Sequence, residues 1–179
     1  MKLIVLAASA AALLASPALA ALKAGDKAPD FTAPGFQAGK ALTFSLAEAR
    51  KKGPVVLYFF PAADTAGCNL EAKMFADAMP KFAASGATVI GVTAGKLEKL
   101  QQISADSDKC SGKFPVAADP GAKIARQYDA ILVAKPDWSD RTSYVISPKG
   151  DILHTYSKLD PSEHVAQTLD AVKAWSAKK

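Results

Sequence analysis

Two cysteines, Cys68 and Cys110, carry the only thiols in this sequence of 179 residues, and thiols are its most reactive side chains. Cys68 follows a loop, residues 61–66, that connects a continuous apolar run to a stretch with helical periodicity. This position predicts that Cys68 lies in the first turn of a helix, where backbone N–H groups are free and the helix dipole is positive. Both features favour the thiolate, which is the nucleophilic form of cysteine.

Cys110 lies in a polar stretch, residues 106–113, that is typical of a loop. An even pair of cysteines in an oxidising compartment commonly forms a structural disulfide, so the pair is compatible with either a structural bridge or a catalytic pair. A thiol:disulfide oxidoreductase is a further hypothesis. That chemistry normally uses a Cys-x-x-Cys motif, whereas Asn69, Leu70 and Glu71 follow Cys68 without a second thiol.

The periodicity of the chain predicts alternating strands and helices. The apolar runs at residues 55–60 and 88–92 lack polar alternation, so we expect strands buried on both faces, as in a parallel sheet. A helix is expected at residues 96–104, and a terminal hairpin and helix follow residue 141. This order predicts an α/β domain with a mixed central β-sheet and helices on both faces, which a thioredoxin-like fold fits.

The helix that begins near Cys68 has apolar residues spaced by four, which predicts its buried face. These residues are Leu70, Met74, Ala78 and Phe82. Pro80 lies inside the pattern and is expected to kink or end the helix near Met79.

Three further segments give local predictions. Residues 22–40 contain two prolines and three glycines and are expected to form an extended N-terminal arm. The capping box at residues 45–48 predicts the start of a short helix. Residues 160–163 are expected to cap the last helix, with Pro161 at its first position and Val165, Leu169 and Val172 facing the core.

The first twenty residues have the layout of a secretory signal peptide. Lys2 precedes an apolar run that is too short to span a bilayer, and Ala18-Leu19-Ala20 is an A-x-A cleavage signal. We therefore predict a signal peptide at residues 1–20, a single domain at residues 21–179, and an exported protein, most simply a periplasmic one. No stable membrane insertion is expected. The net charge of +5 comes from lysines scattered among acidic residues, so no nucleic acid partner is expected.

The segment before Cys68 resembles the P-x-x-x-T-x-x-C motif of peroxiredoxins, with Pro61, Thr65 and Cys68 at the three fixed positions. The resemblance also covers residues 25–31 and 141–150 and extends over essentially the whole predicted domain. It is closest to the Q-type branch, also called bacterioferritin comigratory protein. The commoner Q-type sequence has Pro and Thr where this chain has Ala66 and Asn69.

The resemblance implies a thiol-dependent peroxidase and a role for each matching residue. Cys68 would be the peroxidatic cysteine, Thr65 would offer its hydroxyl to the thiolate and the peroxide, and Pro61 would shield the pocket from water. Arg141 would stabilise the thiolate and orient the peroxide. Glu71 matches an acidic position after the Q-type cysteine.

Peroxide attack would leave a sulfenic acid on Cys68, which can condense with a second thiol. We hypothesise that Cys110 is this resolving cysteine and that the disulfide is intramolecular. The implied partners are a peroxide and a periplasmic, thioredoxin-like thiol reductant, with no cofactor, and the implied state is a monomer or a weak homodimer. The third hypothesis is a non-catalytic thioredoxin-like domain with a structural disulfide.

The two histidines, His154 and His164, have no accompanying carboxylate cluster, so no metal site is predicted. His154 is expected at the surface of an edge strand. His164 is expected in the first turn of the last helix.

Overall fold

The computed structural model describes residues 21–178, so the predicted signal peptide lies outside the described residues. Within that range, seven strands form one sheet in the order β2-β1-β5-β4-β3-β6-β7. β3, β4 and β5 run parallel, and the flanking pairs are antiparallel, so the sheet is mixed as predicted. The strands are β1 Thr32–Gln37, β2 Lys40–Ser45, β3 Val55–Phe59, β4 Thr88–Thr93, β5 Val116–Ala118, β6 Thr142–Ile146 and β7 Ile152–Ser157.

Helices cover both faces of the sheet, which confirms the predicted fold class. α2, α3 and α5 contribute to one hydrophobic cluster, and α1 and α4 contribute to a second cluster on the opposite face. The helices are α1 Leu46–Arg50, α2 Ala66–Ala84, α3 Leu100–Ala105, α4 Lys123–Gln127 and α5 His164–Ser176, with a 3₁₀ turn at Leu97–Lys99 before α3.

The central strand β3 supplies side chains to both clusters. Val56 and Tyr58 pack in the cluster beneath α2, whereas Val55, Leu57 and Phe59 pack in the cluster beneath α1 and α4. Successive strand residues point to opposite faces, so an unbroken apolar run is what a strand covered on both faces requires. The prediction of a buried central strand is confirmed.

The structure corrects two predictions about α2. The helix does not end near Met79 but continues through Pro80 to Ala84, because Pro80 is exposed while Ala78 and Phe82 hold the helix against the sheet. Leu70 is 54% exposed and does not belong to the buried face. Residues spaced by four drift by about 40° per step around a helix, so the drift accumulates along the series and places Leu70, at its start, outside the buried face. The buried face instead contains Cys68, Glu71, Ala72, Phe75, Ala76, Ala78 and Phe82.

The N-terminal segment is a β-hairpin rather than only an extended arm, which corrects a third prediction. β1 and β2 pair along their whole length through a turn at Ala38 and Gly39, both of which have positive φ. Pro34 is tolerated because β5 pairs only with Gly35 and Phe36 of β1, so Pro34 lies where β1 has a single neighbour.

The last helix begins later than predicted. The side chain of Asp160 accepts a hydrogen bond from the backbone N–H of Ser162 at 2.9 Å, which forms a local turn instead of a helix cap. α5 therefore starts at His164 with Glu163 at the N-cap. The predicted capping role of Ser45 for α1 is confirmed. The part of the chain that the structure describes contains no helix with the length and hydropathy to cross a membrane.

Candidate active site

Cys68 lies where β3, the loop after it and α2 meet. α2 begins at Ala66, so Cys68 occupies its first turn, as predicted, and its side chain is only 5% exposed. Thr65 is the N-cap residue, but its hydroxyl donates to the carbonyl of Ala62 at 3.3 Å and does not cap the helix. The free N–H groups of the first turn are therefore not occupied by a capping side chain, and they remain available to an anion.

Arg141 reaches Cys68 from the neighbouring strand. β6 runs antiparallel to β3 with Thr142 opposite Phe59, so Arg141 lies beside the end of β3 where the loop to α2 begins. Its guanidinium Nη2 is 3.4 Å from the sulfur of Cys68. Gly67 permits this approach, since a Cβ at that position would lie 3.3 Å from Nη2. A cation in contact with the sulfur can stabilise negative charge that develops on a bound peroxide oxygen.

Glu71 and a backbone carbonyl fix the guanidinium. Glu71 is wholly buried one turn after Cys68, and its Oε2 accepts a hydrogen bond from Nη1 of Arg141. The Nε–H of Arg141 donates to the carbonyl of Leu159 at 2.7 Å. Burial raises the pKa of Glu71, and Arg141 counteracts part of that rise. Two nitrogens of the guanidinium, Nε and Nη1, are thus held, and the third, Nη2, contacts the reactive sulfur.

A buried histidine extends this network. His164 is wholly buried, and its Nδ1 lies 2.7 Å from the hydroxyl of Ser143 and 3.6 Å from Oε1 of Glu71. His164 lies in the first turn of α5, as predicted, but its connection to the site was not part of that prediction. Helical spacing in the sequence indicates that His164 is buried, because it precedes the buried residues Thr168 and Val172 by four and eight positions and lies on their side of the helix.

The loop between β3 and α2 packs against the segment that connects β4 to the 3₁₀ turn before α3. The N–H of Ala63 donates to the carbonyl of Gly95 at 3.1 Å. Gly95 must lack a side chain, because a Cβ there would lie 2.4 Å from the carbonyl oxygen of Pro61 and 3.0 Å from the Trp138 ring. Pro61 is half-buried in this packing, and Thr65 lies three residues before Cys68. The structure therefore brings Pro61, Thr65, Cys68 and Arg141 to one end of β3.

Cys110 is buried although its loop, residues 106–113, is polar. The side chain is fully inaccessible and belongs to the same hydrophobic cluster as Cys68, and both thiols are free. Rings of Tyr58, Phe75 and Phe114 pack together in that cluster, with Tyr58 stacked on Phe75 at a centroid distance of 4.4 Å. Burial, with a smaller contribution from Asp106, raises the pKa of Cys110 to about 12. In this conformation Cys110 is a protonated thiol and a poor nucleophile.

Ion pairs connect the two cysteine-bearing loops. Asp64, in the loop before α2, binds Lys109 at 3.1 Å and Lys99 at 2.7 Å. Lys109 immediately precedes Cys110 and also binds Asp106 at 3.0 Å. Hydrogen bonds from the two lysines hold the pKa of Asp64 well below its usual range. The Asp64–Lys109 ion pair therefore joins the segment of Cys68 to the segment of Cys110. The described residues contain no cluster of three or more metal-ligating side chains.

Comparison with known proteins agrees with this geometry. A model described as the AhpC/TSA family matches residues 24–155. The chain is 31% identical over 150 residues to a chloroplastic peroxiredoxin Q of Triticum aestivum. This alignment covers 83% of this chain and 66% of that protein. It is 31% identical over 151 residues to a Mycobacterium tuberculosis protein named as a peroxiredoxin, with 82% of this chain and 92% of that protein covered. The chain thus spans about two thirds of the length of the chloroplastic relative.

Solved structures share the fold. The crystal structure of peroxidoxin BcpB from Mycobacterium tuberculosis superposes with a TM-score of 0.75 at 28% identity, covering 86% of this chain and 97% of that chain. The reduced 2-Cys peroxiredoxin of Plasmodium vivax superposes with a TM-score of 0.76 at 18% identity, covering 88% of this chain and 98% of that chain. Because the identity to the Plasmodium vivax protein is only 18%, this similarity shows the fold alone.

Proposed function

The chain belongs to the AhpC/TSA family of peroxiredoxins, and from this premise we propose that it is a thiol-dependent peroxidase in which Cys68 attacks the peroxide. The observation that carries the proposal is the 3.4 Å contact between the Cys68 sulfur and the Arg141 guanidinium in the first turn of α2. A buried cation that contacts a thiol at a helix N-terminus favours thiolate chemistry.

The first step converts the thiolate into a sulfenic acid. The Cys68 sulfur attacks one peroxide oxygen, an S–O bond forms, and the O–O bond breaks. Its electron pair leaves on the other oxygen, which takes a proton to give water or an alcohol. Arg141 and the free N–H groups of the first turn of α2 would bind the oxygen on which this negative charge develops. Hydrogen peroxide and organic hydroperoxides both fit this scheme.

We propose that Cys110 resolves the sulfenic acid through an intramolecular disulfide, releasing water. Both thiols are buried in the reduced structure, and a disulfide needs Cα atoms within about 7 Å of each other. Cys110 must also lose its proton, which burial opposes. We propose that residues 106–113 and the first turn of α2 open locally in this step, since both thiols are buried and Cys110 must become able to lose its proton. A thioredoxin-like dithiol protein would then reduce the disulfide.

The alternative functions are less well supported. A thiol:disulfide oxidoreductase normally uses a Cys-x-x-Cys motif, whereas the position of the second thiol is occupied here by the buried Glu71. A purely structural disulfide would leave the Arg141–Glu71 pair beside Cys68 without a purpose. The predicted signal peptide favours export, and the periplasm with a periplasmic reductant remains our proposal. A monomer or weak homodimer also remains a proposal.

A stopped-flow experiment tests the function. The reduced protein is mixed with one equivalent of hydrogen peroxide, and tryptophan fluorescence and free thiols are followed for wild type, Cys68→Ser and Cys110→Ser. We expect rapid loss of two thiols in wild type, no reaction in Cys68→Ser, and arrest at the sulfenic acid in Cys110→Ser. A wild-type rate no faster than that of a free thiol would contradict the peroxidase proposal. Unchanged turnover with reductant in Cys110→Ser would contradict only the resolving role.

A further inference from the structure

We propose that His164 is a positioning residue for the peroxide reaction and that it holds Arg141 against Cys68 from two sides. The inference rests on the proposed roles of Cys68 and Arg141. His164 is the first residue of α5, and its side chain is wholly inaccessible to solvent. His164 is polar and lies next to Glu71, which binds Arg141. The burial of apolar surface therefore does not explain why this side chain is buried.

Two hydrogen bonds fix the imidazole ring in one tautomer. Nε2 lies 2.9 Å from the carbonyl oxygen of Lys158, which can only accept, so Nε2 carries the hydrogen. Nδ1 is then an acceptor in the neutral ring and receives the hydroxyl hydrogen of Ser143 at 2.7 Å. Burial lowers the pKa of His164 to about 4, which keeps the ring neutral near pH 7. The edge of the Tyr156 ring packs against the imidazole at a centroid distance of 4.8 Å.

The first connection to Arg141 runs through the backbone between β7 and α5. His164 binds the carbonyl of Lys158, and the next carbonyl, that of Leu159, accepts the Nε–H of Arg141. The side chains of Lys158, Leu159 and Asp160 are exposed, so side-chain burial does not hold this stretch in place. The inward-facing carbonyls of Lys158 and Leu159 are bound by His164 and Arg141, respectively. His164 thereby fixes the acceptor that orients the guanidinium.

The second connection runs through Glu71. Oε2 of Glu71 binds Nη1 of Arg141, while Oε1 lies 3.6 Å from Nδ1 of His164 and has no hydrogen-bond partner in the described part of the chain. The imidazole therefore forms the wall behind the carboxylate and prevents it from turning away from Arg141. A charged imidazole would add a second cation beside Arg141 and compete for Glu71, so a neutral ring suits this role.

Two substitutions separate the contacts of the ring. His164→Gln can keep an N–H donor near the position of Nε2, so it can still bind the carbonyl of Lys158. His164→Asn keeps a polar atom near the position of Nδ1 but is too short to reach that carbonyl. His154→Asn is the matched control, because His154 is the other histidine of the sequence and lies on the edge strand β7.

The readout is the second-order rate constant for oxidation of Cys68 by hydrogen peroxide in the reduced protein. We expect His164→Asn to lower it roughly 10- to 100-fold, because a small displacement of a catalytic group has a large effect on rate. His164→Gln should recover most of the wild-type rate, and His154→Asn should not change it. In an Arg141→Lys background, His164→Asn should have little further effect, since both changes remove the same interaction.

Several outcomes would overturn the inference. A merely structural role predicts that His164→Asn lowers the free energy of unfolding and leaves the rate constant unchanged. A full additional loss of rate in the Arg141→Lys background would also contradict the inference, because the two substitutions would then act independently. If His164→Asn does not fold, a large rate loss in a folded His164→Gln variant contradicts the role of the Lys158 contact. A slow wild-type reaction, or one that survives Cys68→Ser, would instead refute the proposed function on which the inference rests.

Discussion

The reactivity proposed for Cys68 depends on how the Arg141 side chain is held. Its guanidinium offers several N–H donors in a fixed plane, and three of its nitrogens contact Leu159, Glu71 and Cys68. A lysine ammonium carries the same charge but is a single point, so it would not make these contacts simultaneously. Geometry rather than charge alone therefore distinguishes arginine at this position.

We expect Arg141→Lys to slow peroxide reduction. The charge remains, but the aligned donors for the developing oxyanion are lost, which should lower the rate constant on the order of 100-fold. The measurement is stopped-flow oxidation of the reduced protein by hydrogen peroxide. Arg126→Lys serves as the control, since Arg126 is exposed and binds the carbonyl of Pro136. Equal rate constants for wild type and Arg141→Lys would show that charge alone suffices.

The buried thiol of Cys110 leads to a prediction about the free energy of unfolding at alkaline pH. Burial raises its pKa to about 12 from the usual value of 9.0. Above pH 9 the unfolded chain loses this proton before the folded protein does, so its contribution to stability is lost as pH rises from about 9 to 12. The loss is about 1.4 kcal/mol per pH unit and on the order of 1 kcal/mol at pH 10.

Denaturant unfolding of the reduced protein at pH 8 and pH 10 measures this contribution. Cys110→Ser should be less stable than wild type at pH 8, and the difference should shrink by about 1 kcal/mol at pH 10. Tyr128 and Tyr144, whose pKa values burial also raises, remain in both proteins and cancel in the comparison. A difference that does not change with pH would show that Cys110 is accessible in the native state.

The disulfide proposed between Cys68 and Cys110 involves two elements, the start of α2 and the loop at residues 106–113, and we propose that these two elements open together. Asp64 and Lys109 join these segments, and their side chains are 28% and 15% exposed. The pair is partly screened by solvent, so its expected contribution is below about 1 kcal/mol. That amount is sufficient to alter an opening equilibrium several-fold without affecting the fold.

We expect Asp64→Asn and Lys109→Gln to accelerate disulfide formation after peroxide attack. Loss of the ion pair favours the open state, and the expected increase is roughly 2- to 5-fold. The rate of the second kinetic phase gives the measurement, and added salt should accelerate wild type more than either variant. Lys99→Gln is the control, because Lys99 binds Asp64 but does not lie in the loop of Cys110. A slower or unchanged second phase would mean that opening does not limit the step.

At the scale of the whole molecule, the sheet order brings the site together. β3 lies between β4 and β6, so the loop before α2, the start of β6 and the segment before α5 meet at one end of the sheet. Ligand sites in α/β sheets lie at the carboxyl ends of strands, as Cys68 does here. The two hydrophobic clusters fix these elements from opposite faces.

The predicted signal peptide leads to a testable prediction about export. Expressed in a Gram-negative host, the protein should be recovered in the periplasmic extract with Ala21 as its first residue, because Ala18 and Ala20 form the A-x-A signal. Intact mass determination of the extract provides the measurement. Ala18→Asp should prevent cleavage, since small residues are required at this site. A cytosolic product that retains residues 1–20 would contradict both the signal peptide and the periplasmic proposal.

Most of the elements and the candidates for the reactive residues were predictable from the sequence. Local patterns were sufficient for β3, for the start of α2 at Cys68 and for the short helix after Ser45, because burial on both faces, helix-start context and capping are short-range properties. The spacing of Pro61, Thr65 and Cys68 carried the resemblance to peroxiredoxins, and Arg141 was recognised as its distant partner.

The side chains that complete the site come together through tertiary packing. Glu71 and His164 are 93 positions apart in sequence, and their contact depends on how α5 packs against α2 and β6. Tertiary packing also carries α2 through Pro80 and buries Cys110 within a polar loop, against local preference. Such outcomes follow from the free energy of long-range burial, which a pattern of neighbouring residues does not contain.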